Sequence, residues 1–529
     1  MSDSQGTPGR VAVAFFALLT VCALAALRLP LRLPSAPALL LPALPDGSEV
    51  QLWLSTQDRR LRLAQQPDIP VAVSDAEATP PPANVTIDTS RTFQTITGFG
   101  AAMTDSSAWL LNHVLDDDQR FAFLQEMFGP PPGLNLDMTR VSIGASDFSL
   151  KPYTLDDMPA GQADPTLAHF HIPSELRELL PVLRETMEIN PQLHIIATPW
   201  SPPAWMKTID ALNGGTLQPQ YEGVYAQYLL KYLDAMQAQG IPIWALTVQN
   251  EPGFEPVTYP GMLLPAAARA RIIGQHLGPA LADRDPRPLI LDWDHNWDEP
   301  AQPLAVLANA DARRYVDGVA WHCYAGDVNA QSRVHRAYPD KDAYLTECSG
   351  GDWPSAKDGE LLLFARDILL MSLRNWARGA VYWNIALDTK HGPHAGGCSD
   401  CKGMVTIDAD TGAIHRNDEY YAFAHFSRFV LPGAVRVWSL STDAYIHDVA
   451  FRNPDGTMAM VVTNAASQPR QVSVGQAPLH FEYTMPPQSV ATFTWDPALA
   501  THSWERRVRH LFDKALRAVT PGMAHAGAR

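Results

Sequence analysis

One stretch of the chain indicates the fold most clearly: Ile243-Trp244-Ala245-Leu246-Thr247-Val248-Gln249-Asn250-Glu251-Pro252. Its apolar run, Ile243 to Val248, stops abruptly before the glutamate Glu251. The stretch Ala343-Tyr344-Leu345-Thr346-Glu347-Cys348 repeats this pattern further along the chain. A short apolar run of this kind predicts a buried parallel strand, with the glutamate at the carboxyl end of the strand. Either glutamate alone could instead cap a strand or pair with an arginine, so the pattern of the surrounding chain has to separate these interpretations.

Eight apolar runs of this kind follow one another, separated by segments long enough for helices. They are Thr97–Met103, Met138–Ile143, His194–Thr198, Ile243–Val248, Pro288–Trp293, Val316–Trp321, Ala343–Thr346 and Ala380–Ile385. The intervening segment Tyr225–Gln237 has helical periodicity, with Tyr228, Leu229 and Tyr232 on one face. Strand and helix alternating eight times predict an α/β fold whose parallel sheet closes into a (β/α)₈ TIM barrel.

The chain on both sides of the barrel has a different pattern, of short alternating strands bounded by turn residues. After the barrel these strands are predicted for Ile446–Phe451, Met458–Thr463, Gln471–Val474 and Ala491–Trp495; before it, for Glu49–Ser55 and Arg60–Leu63. We therefore expect an attached antiparallel β-sandwich domain formed from segments on both sides of the barrel.

The predicted domain limits follow from these patterns. Residues 1–29 are a signal peptide or N-terminal membrane anchor, 30–45 a linker, 46–95 the N-terminal part of the β-sandwich, 96–430 the barrel, 431–497 the C-terminal part of the β-sandwich, and 498–529 a helical extension with the basic amphipathic segment Trp504–Val519.

Charge and the N-terminal segment limit the partners and the location. We expect no nucleic-acid partner, because phosphate binding needs clustered Lys and Arg and the 529-residue chain has a formal net charge of −16. Val11–Leu27 is an uncharged apolar segment between Arg10 and Arg28, which is typical of a secretory signal or an uncleaved anchor. Export to the cell exterior or periplasm is predicted, with membrane association through residues 11–27 as the alternative. The sequence leaves the oligomeric state open.

Charged, amide and aromatic residues stand where the predicted strands end, at the face where such barrels build their active sites. Besides the two glutamates, this set comprises Arg140, Asp147, Trp200, Asn250, His322, Tyr324 and Trp383. Aromatic rings cover the C–H faces of a sugar, and Asp and Asn bind its hydroxyls. Two carboxylates at neighbouring strand ends are what hydrolysis of a glycosidic bond with retention requires.

A structural role is the alternative for several of these residues. Arg140 fits equally well as an ion-pair partner of a glutamate, and His322, Tyr324 and Trp383 fit as packing residues. Asp292 and Asp294, near the end of the fifth predicted strand, receive no role.

The cysteines allow two interpretations of one loop. Cys398 and Cys401 form a C-x-x-C pair, with His391 and His394 a few residues before it. The four residues could form a zinc site, although a single C-x-x-C is weak support for one. In an exported protein a local disulfide between Cys398 and Cys401 is the favoured interpretation.

Three motifs resemble glycoside hydrolase family 30, and among its members the glucosylceramidases and the bacterial β-glucosidases and β-1,6-glucanases. The motifs are Thr95-Ile96-Thr97-Gly98-Phe99-Gly100-Ala101-Ala102-Met103-Thr104-Asp105, Ala197-Thr198-Pro199-Trp200-Ser201-Pro202-Pro203-Ala204-Trp205-Met206-Lys207-Thr208 and Val248-Gln249-Asn250-Glu251-Pro252. The resemblance runs from about Val50 to Asp496. Two departures, Cys323 in place of a tryptophan of the glucosylceramidases and the Gly392–Gly403 loop, leave the aglycone undetermined.

The resemblance implies a role for each site residue. Glu251 matches the acid/base and Glu347 the nucleophile. Asp147, Trp200, Asn250 and Trp383 match residues that line a glucose subsite, and His322 and Tyr324 match residues around the nucleophile. We expect a retaining β-glycosidase that acts on β-glucosides by double displacement and needs no cofactor. The negative charge of Glu347 is expected to raise the pKa of Glu251.

Three alternatives remain open at this stage. The first is an endo-β-1,6-glucanase or another β-glycan hydrolase of the same family. The second is a metal-dependent hydrolase that uses the C-x-x-C loop, and the third is a non-catalytic carbohydrate-binding protein. The partner in the favoured interpretation is a β-glucoside or β-glucan.

Overall fold

A computed structural model describes residues 49–73, 83–353 and 359–498. The predicted signal or anchor of residues 1–29, the linker of residues 30–45 and the segment Trp504–Val519 lie outside the described residues. Within the described ranges, none of the helices has both the length and the apolar character needed to span a bilayer.

Twenty-one strands are defined in the described ranges. They are β1 Glu49–Thr56, β2 Ala64–Pro70, β3 Ala72–Val73, β4 Val85–Thr95, β5 Gly98–Ala101, β6 Met138–Ile143, β7 His194–Pro199, β8 Ala245–Thr247, β9 Leu289–Asn296, β10 Gly318–His322, β11 Asp342–Glu347, β12 Ala377–Tyr382, β13 Ala386–Asp388, β14 Val405–Ile407, β15 Ile414–Arg416, β16 Val435–Ser441, β17 Ile446–Arg452, β18 Met458–Asn464, β19 Arg470–Gln476, β20 Leu479–Met485 and β21 Ser489–Trp495.

The strands β5 to β12 form a closed parallel barrel in sequence order, so the predicted TIM barrel is confirmed. Each of the eight predicted barrel strands overlaps an observed one, with ends that differ by a few residues. Every residue of β6 is buried, as expected of a strand covered on both faces.

Helices surround this barrel. The longer α-helices are Asp105–His113, Asp117–Phe128, Ser174–Ile189, Glu222–Ala238, Ala301–Ala308, Asn329–Ala337 and Asp418–Ser427. Two further helical runs, 266–281 and 360–374, contain the π-helical segments Ile272–Leu277 and Leu363–Leu370.

The second domain is a ten-stranded sheet around its own apolar core. It contains β1 to β4 from before the barrel and β16 to β21 from after it, so the expected assembly from both sides of the barrel is confirmed. Its strand pairs are antiparallel except for β4 with β19, which is parallel. The predicted strand Arg60–Leu63 is wrong: Arg59 and Leu63 have φ values of 62° and 46°, in the left-handed region that strands exclude, and β2 begins only after this turn.

The helix Asp418–Ser427 joins the two domains through a buried histidine. His425 Nδ1 lies 2.8 Å from Thr492 Oγ1 on β21, and His425 Nε2 lies 2.9 Å from Ser55 Oγ on β1. The Thr492 hydroxyl donates to the His425 carbonyl, so its oxygen accepts from Nδ1–H. Burial lowers the pKa of His425 to about 3, so the ring is neutral.

Candidate active site

The carboxyl groups of Glu251 and Glu347 meet at the carboxyl end of the barrel. Glu347 ends β11, and Glu251 lies in the loop that follows β8. One carboxylate oxygen of each glutamate and one ring nitrogen of His322 all lie within 4.8 Å of one another. The backbone φ of Glu251 is 46°, and its N–H donates to the Asp294 carbonyl at 3.0 Å. A left-handed conformation is costly for glutamate, so the surrounding structure holds this residue in place.

Arg140, on β6, connects the charged groups at the base of the site. Its side chain is fully buried, and Nη1 donates to Glu347 Oε2 at 2.5 Å. Nη2 donates to Asn250 Oδ1 at 2.7 Å and to Asp294 Oδ2 at 2.9 Å. A buried guanidinium between two carboxylates compensates their charge and fixes their orientation. Arg140 is therefore the ion-pair partner of Glu347, which is one of the two roles considered from the sequence.

Asp294 is the fully buried carboxylate beneath the site, and sequence reasoning gave it no role. The pairing of β9 with β10 shifts register here and leaves Asp294 in a bulge with a φ of 51°. Its two oxygens accept hydrogen bonds from Thr247 Oγ1 at 2.8 Å and Thr346 Oγ1 at 2.6 Å. Burial raises the pKa of Asp294, but the charges of Arg140 and His322 outweigh it and hold this pKa well below its usual range. The bulge thus supplies a permanent anion under the site.

His322 lies between two carboxylates. Its Nδ1 is 3.3 Å from Glu251 Oε1, and its Nε2 is 3.1 Å from Asp294 Oδ1. Burial lowers the pKa of His322, but the charge of Glu347 and the hydrogen bonds to Asp294 and Glu251 raise it to about 9. At neutral pH the ring is therefore a cation that donates from both nitrogens.

The pKa of Glu251 shifts in the direction opposite to our expectation. Burial raises this pKa, but the hydrogen bond and charge of His322 lower it, and the charges of His295 and Arg140 lower it further. His295 Nε2 lies 3.7 Å from Glu251 Oε1. The expectation was wrong because it considered only the charge of Glu347, and the sequence does not show that a cationic imidazole contacts the same carboxylate.

Tyr324 contacts the second oxygen of Glu347. Its hydroxyl donates to Oε1 at 2.9 Å, although 44% of the residue is exposed. Burial of the hydroxyl end and the charge of Glu347 raise the pKa of Tyr324 well above its usual value. Arg140 and Tyr324 together hold both oxygens of Glu347, so its carboxylate has one orientation.

Trp200, Trp383 and Asp147 form a wall beside the two glutamates. The indole rings are stacked, with centroids 5.2 Å apart and planes 19° apart. Trp383 Nε1 donates to Asp147 Oδ2 at 3.4 Å, and the shielded Oδ1 has no hydrogen-bond partner. Burial, followed by the charges of Glu347 and Glu251, raises the pKa of Asp147 to about 8. Asp147 therefore presents a neutral carboxyl group that can donate to and accept from a sugar hydroxyl.

The C-x-x-C loop packs directly on this wall. Cys398 and Cys401 form a disulfide and belong to the same apolar cluster as Trp383. A Cβ on Gly397 would lie 2.5 Å from Asp147 Cβ, and the φ of Gly397 is 78°. Only glycine fits this close approach, so the loop backbone closes the Asp147 side of the site.

The zinc hypothesis for this loop is wrong, because Cys398 and Cys401 are bonded to each other and supply no thiolate. His391 contacts Asp352 and the Cys401 carbonyl, and His394 Nδ1 lies 2.6 Å from the Gly396 carbonyl. Within the described ranges, the group of acidic and histidine side chains close enough to hold an ion is Glu251, His322 and Glu347.

A second disulfide, which the sequence did not predict, joins Cys323 to Cys348. These cysteines directly follow His322 at the end of β10 and Glu347 at the end of β11. The cross-link therefore lies between two strand ends that both contribute to the site.

Two loops, of which the second directly follows Glu251 in the chain, are hydrogen-bonded to each other, and we call residues 207–217 and 252–263 the mouth loops. The Gly215 N–H donates to Glu255 Oε1 at 2.7 Å, and the Gly261 N–H donates to the Leu212 carbonyl at 3.0 Å. The buried ammonium of Lys207 donates to the carbonyls of Leu212 at 2.5 Å and Gly261 at 2.9 Å. Three apolar side chains are exposed on these joined loops: Ile209 (52%), Phe254 (46%) and Val257 (84%).

Comparison with known families agrees with this geometry. The model of the glycosyl hydrolase family 30 TIM-barrel domain matches residues 96–430, and that of the family 30 beta sandwich domain matches residues 433–493. The chain belongs to glycosyl hydrolase family 30. This family 30 member is a glycoside hydrolase, so the interpretation as a non-catalytic carbohydrate-binding protein is not needed.

Relatives of this family 30 enzyme include both glucanases and glucosylceramidases. The endo-1,6-beta-D-glucanase of Neurospora crassa is 36% identical over 450 residues, which cover 82% of this chain and 92% of the relative. Putative glucosylceramidase 2 of Caenorhabditis elegans is 33% identical over 434 residues, covering 77% of this chain and 82% of the relative. A solved structure of an endo-beta1,6-glucanase is 32% identical to this chain, with a TM-score of 0.77. The match covers 85% of this chain and 100% of the solved chain.

The structure brings all the sequence-predicted site residues of this family 30 enzyme to one end of the barrel. They are Arg140, Asp147, Trp200, Asn250, Glu251, His322, Tyr324, Glu347 and Trp383. Sequence reasoning missed the role of Asp294 and the contact of His295 with Glu251. The run Asp292-Trp293-Asp294-His295 at the end of β9 was the available signal, but the bulge that selects Asp294 is not visible in it.

Proposed function

We propose that this family 30 enzyme hydrolyses a β-glucosidic linkage with retention, and that its substrate is a β-1,6-glucan. The observation that carries the retaining mechanism is the separation of the two glutamates, whose nearest ligand oxygens lie within 4.8 Å. Carboxyl groups ~5–5.5 Å apart suit direct attack by one of them, whereas inversion needs ~6.5–9.5 Å to admit a water.

Glu347 is the proposed nucleophile. Arg140 on Oε2 and Tyr324 on Oε1 hold its carboxylate in one orientation, aimed at the anomeric carbon of a bound sugar. As the carboxylate attacks, the C–O bond to the leaving group breaks and a glycosyl-enzyme forms. The guanidinium remains paired with Asp294 when Glu347 loses its charge in this ester.

Glu251 is the proposed acid and base. In the first step it gives a proton to the departing glycosidic oxygen, and in the second it takes one from the attacking water. Because cationic His322 lowers the pKa of Glu251, the catalytically competent form is a minor one at neutral pH. Activity is therefore expected to be highest under acidic conditions.

Four further residues would hold the sugar. Asn250, whose Oδ1 accepts from Arg140, would bond the hydroxyl next to the anomeric carbon, a contact that strengthens in an oxocarbenium-like transition state. Asp147 would donate a hydrogen bond to, and accept one from, another hydroxyl of the same sugar. The rings of Trp200 and Trp383 would cover the apolar face of the sugar.

The choice of glucan rests on the relatives. Three curated relatives that share 32–36% identity with this chain are named endo-1,6-beta-D-glucanases. The Gly397 backbone packs against Asp147, and the neighbouring Gly396 packs against Thr258 of a mouth loop.

Glucosylceramide is the second candidate substrate, and it would assign the enzyme to sphingolipid metabolism. The exposed aliphatic side chains of Ile209 and Val257, on the same loops as the exposed Phe254 ring, favour it, because a lipid aglycone would cover them. Several relatives are named glucosylceramidases, including the lysosomal acid glucosylceramidase of Mus musculus, 29% identical over 459 residues.

Export is proposed with the same function. The disulfides Cys323–Cys348 and Cys398–Cys401 are typical of an oxidising compartment, in agreement with a signal or anchor in residues 1–29. The domain limits of 46–95, 96–430 and 431–497 also remain proposals.

The nucleophile variant Glu347→Gly tests the mechanism. It should lose hydrolysis of an aryl β-glucoside by at least ~10⁴-fold, and azide should restore turnover and yield a glucosyl azide. Retained hydrolysis without azide would exclude Glu347 as nucleophile. Assays of the unaltered enzyme on β-1,6-glucan, glucosylceramide and xylan then identify the substrate. Absence of hydrolysis of β-1,6-glucan would favour glucosylceramide, the second candidate.

A further inference from the structure

The Cys323–Cys348 disulfide occupies a particular place in the site. Cys323 stands between His322 and Tyr324 in sequence, and Cys348 directly follows Glu347. The two Cα atoms are 5.4 Å apart, and the cross-link spans a sequence separation of 25 residues. The bond therefore joins the segment that carries Tyr324 to the residue next to the nucleophile.

The strand ladder does not hold these segments together beyond this point. Pairing of β10 with β11 ends at His322 and Glu347, after a register shift. Tyr324 lies past the end of β10 and is the most exposed residue of the site. Its backbone N–H donates to Asn296 Oδ1 at 3.0 Å, and the Ala325 carbonyl accepts from the Trp297 N–H at 3.0 Å. These bonds attach the segment to the chain at the end of β9, whereas the disulfide attaches it to the end of β11, where Glu347 lies.

Cys348 is anchored on the other side. It is 1% exposed, and its carbonyl accepts from the Trp383 N–H at 2.9 Å, which ties it to the chain that follows β12. Through Cys348 the disulfide attaches the exposed Tyr324 segment to a rigid part of the barrel.

We propose that the Cys323–Cys348 disulfide is a positioning element for the nucleophile, which holds the Tyr324 hydroxyl on Glu347 Oε1. This inference rests on the proposed role of Glu347. With Arg140 on Oε2, the bond from Tyr324 leaves the carboxylate one rotamer. Without the disulfide, Tyr324 moves away for part of the time, and Glu347 Oε1 then loses this hydrogen bond. Arg140 on Oε2 and the more distant His322 Nδ1, 3.9 Å from Oε1, remain.

A purely structural cross-link would behave differently. Any disulfide can stabilise a fold by restricting the unfolded chain, without effect on the folded active site. A positioning element instead lowers kcat in the fully folded enzyme, and its effect depends on the presence of Tyr324.

A double-mutant cycle separates the two roles. The four proteins are the unaltered enzyme, Cys323→Ala/Cys348→Ala, Tyr324→Phe, and the triple variant, each assayed on an aryl β-glucoside well below its unfolding temperature. We expect the disulfide-free enzyme to lose kcat by roughly tenfold with KM within about twofold. Tyr324→Phe should cost at least as much alone, but less than about threefold when added to the disulfide-free enzyme.

Equal losses from Tyr324→Phe in both backgrounds would overturn the proposal, as would an unchanged kcat in the disulfide-free enzyme with a lowered unfolding temperature. Circular dichroism of each variant checks that it is folded, and Cys323→Ser/Cys348→Ala replaces the first pair if that pair does not fold. Failure of the mechanism itself would appear separately, as retained hydrolysis by Glu347→Gly without azide.

Discussion

The guanidinium of Arg140 donates to the carboxylate of Glu347 at 2.5 Å, with the arginine fully buried and the glutamate 5% exposed. The same guanidinium also binds Asp294, so one cation compensates two buried anions. This arrangement keeps a carboxylate charged in the barrel interior, where an unpaired charge would be costly. It also makes the orientation of Glu347, the proposed nucleophile, depend on a residue from a distant strand.

Replacement of Arg140 by lysine should lower kcat. Arg140→Lys keeps the positive charge, but a lysine lacks the planar guanidinium that donates to Glu347 from Nη1 and to Asp294 from Nη2. We therefore expect kcat on an aryl β-glucoside to fall ~100-fold. The matched control is Arg269→Lys. In the unaltered enzyme Arg269 Nε lies 2.8 Å from Asp292 Oδ1 in an equally buried ion pair, and Asp292 stands two residues before Asp294. That control should lower the unfolding temperature with a much smaller change in kcat. Similar kcat losses in both variants would contradict the role of Arg140.

The pH profile should report the contact between His322 and Glu251. The fall of kcat/KM at high pH follows deprotonation of the acid in the free enzyme, and the His322 cation lowers the pKa of Glu251. His322→Gln removes the charge, so this pKa rises and the alkaline limb should move upward by roughly one pH unit or more. His295→Gln, which removes a more distant ring, should move the limb less. A limb that stays in place or moves downward in His322→Gln would disprove this assignment.

Asp147 should act as a neutral hydrogen-bonding group in the proposed glucose subsite. Its pKa of about 8 means that it is protonated through the acidic and neutral range. Asp147→Asn keeps a donor and an acceptor, so KM should change less than about threefold at pH 6. Asp147→Ala removes both and should raise KM roughly tenfold or more. An equally raised KM in both variants would contradict the neutral carboxyl group, and an unchanged KM in both would show that Asp147 does not bind the sugar.

The acid stability of the enzyme should depend on His425. This histidine has a pKa of about 3 when folded and ~6.5 when unfolded, so the unfolded chain binds an extra proton between these values. Stability is then fully present above pH 6.5 and is lost as pH falls toward 3, by roughly 5 kcal/mol at most. His425→Gln should reduce the loss of Tm between pH 7 and pH 4.5, and the exposed His171→Gln should not. An unchanged loss of Tm in His425→Gln would contradict this account.

The mouth loops should decide between the two candidate substrates. If a lipid aglycone rests on Phe254 and Val257, the double variant Phe254→Ser/Val257→Ser should lose activity on glucosylceramide at least ~10-fold. Its activity on β-1,6-glucan should change little if the glucan does not use these side chains. Phe121→Ser, which alters an equally exposed ring on the helix Asp117–Phe128, serves as the control for altered solubility. If the double variant lost the same fraction of its activity on both substrates, the support for a lipid substrate would be removed.

The sequence predicted what depends on local pattern. Apolar runs between helical segments identified the eight barrel strands, because a strand buried on both faces has to be apolar along its length. The carboxyl ends of parallel strands lie at one end of a barrel, so Glu251 and Glu347 could be assigned to the same site before any distance was known. The motifs around Trp200 and Asn250 then supplied the family.

The tertiary structure decided what depends on contacts between distant segments. The bulge in β9 selects Asp294 and not Asp292 as the anion beneath the site, and bulges follow from the register of neighbouring strands. The pKa of Glu251 falls because His322, from another strand end, contacts it within 3.3 Å. Cys323 and Cys348 pair because β10 and β11 are neighbours. Electrostatic interactions and covalent cross-links depend on distances of a few ångströms, and only the folded chain sets these distances.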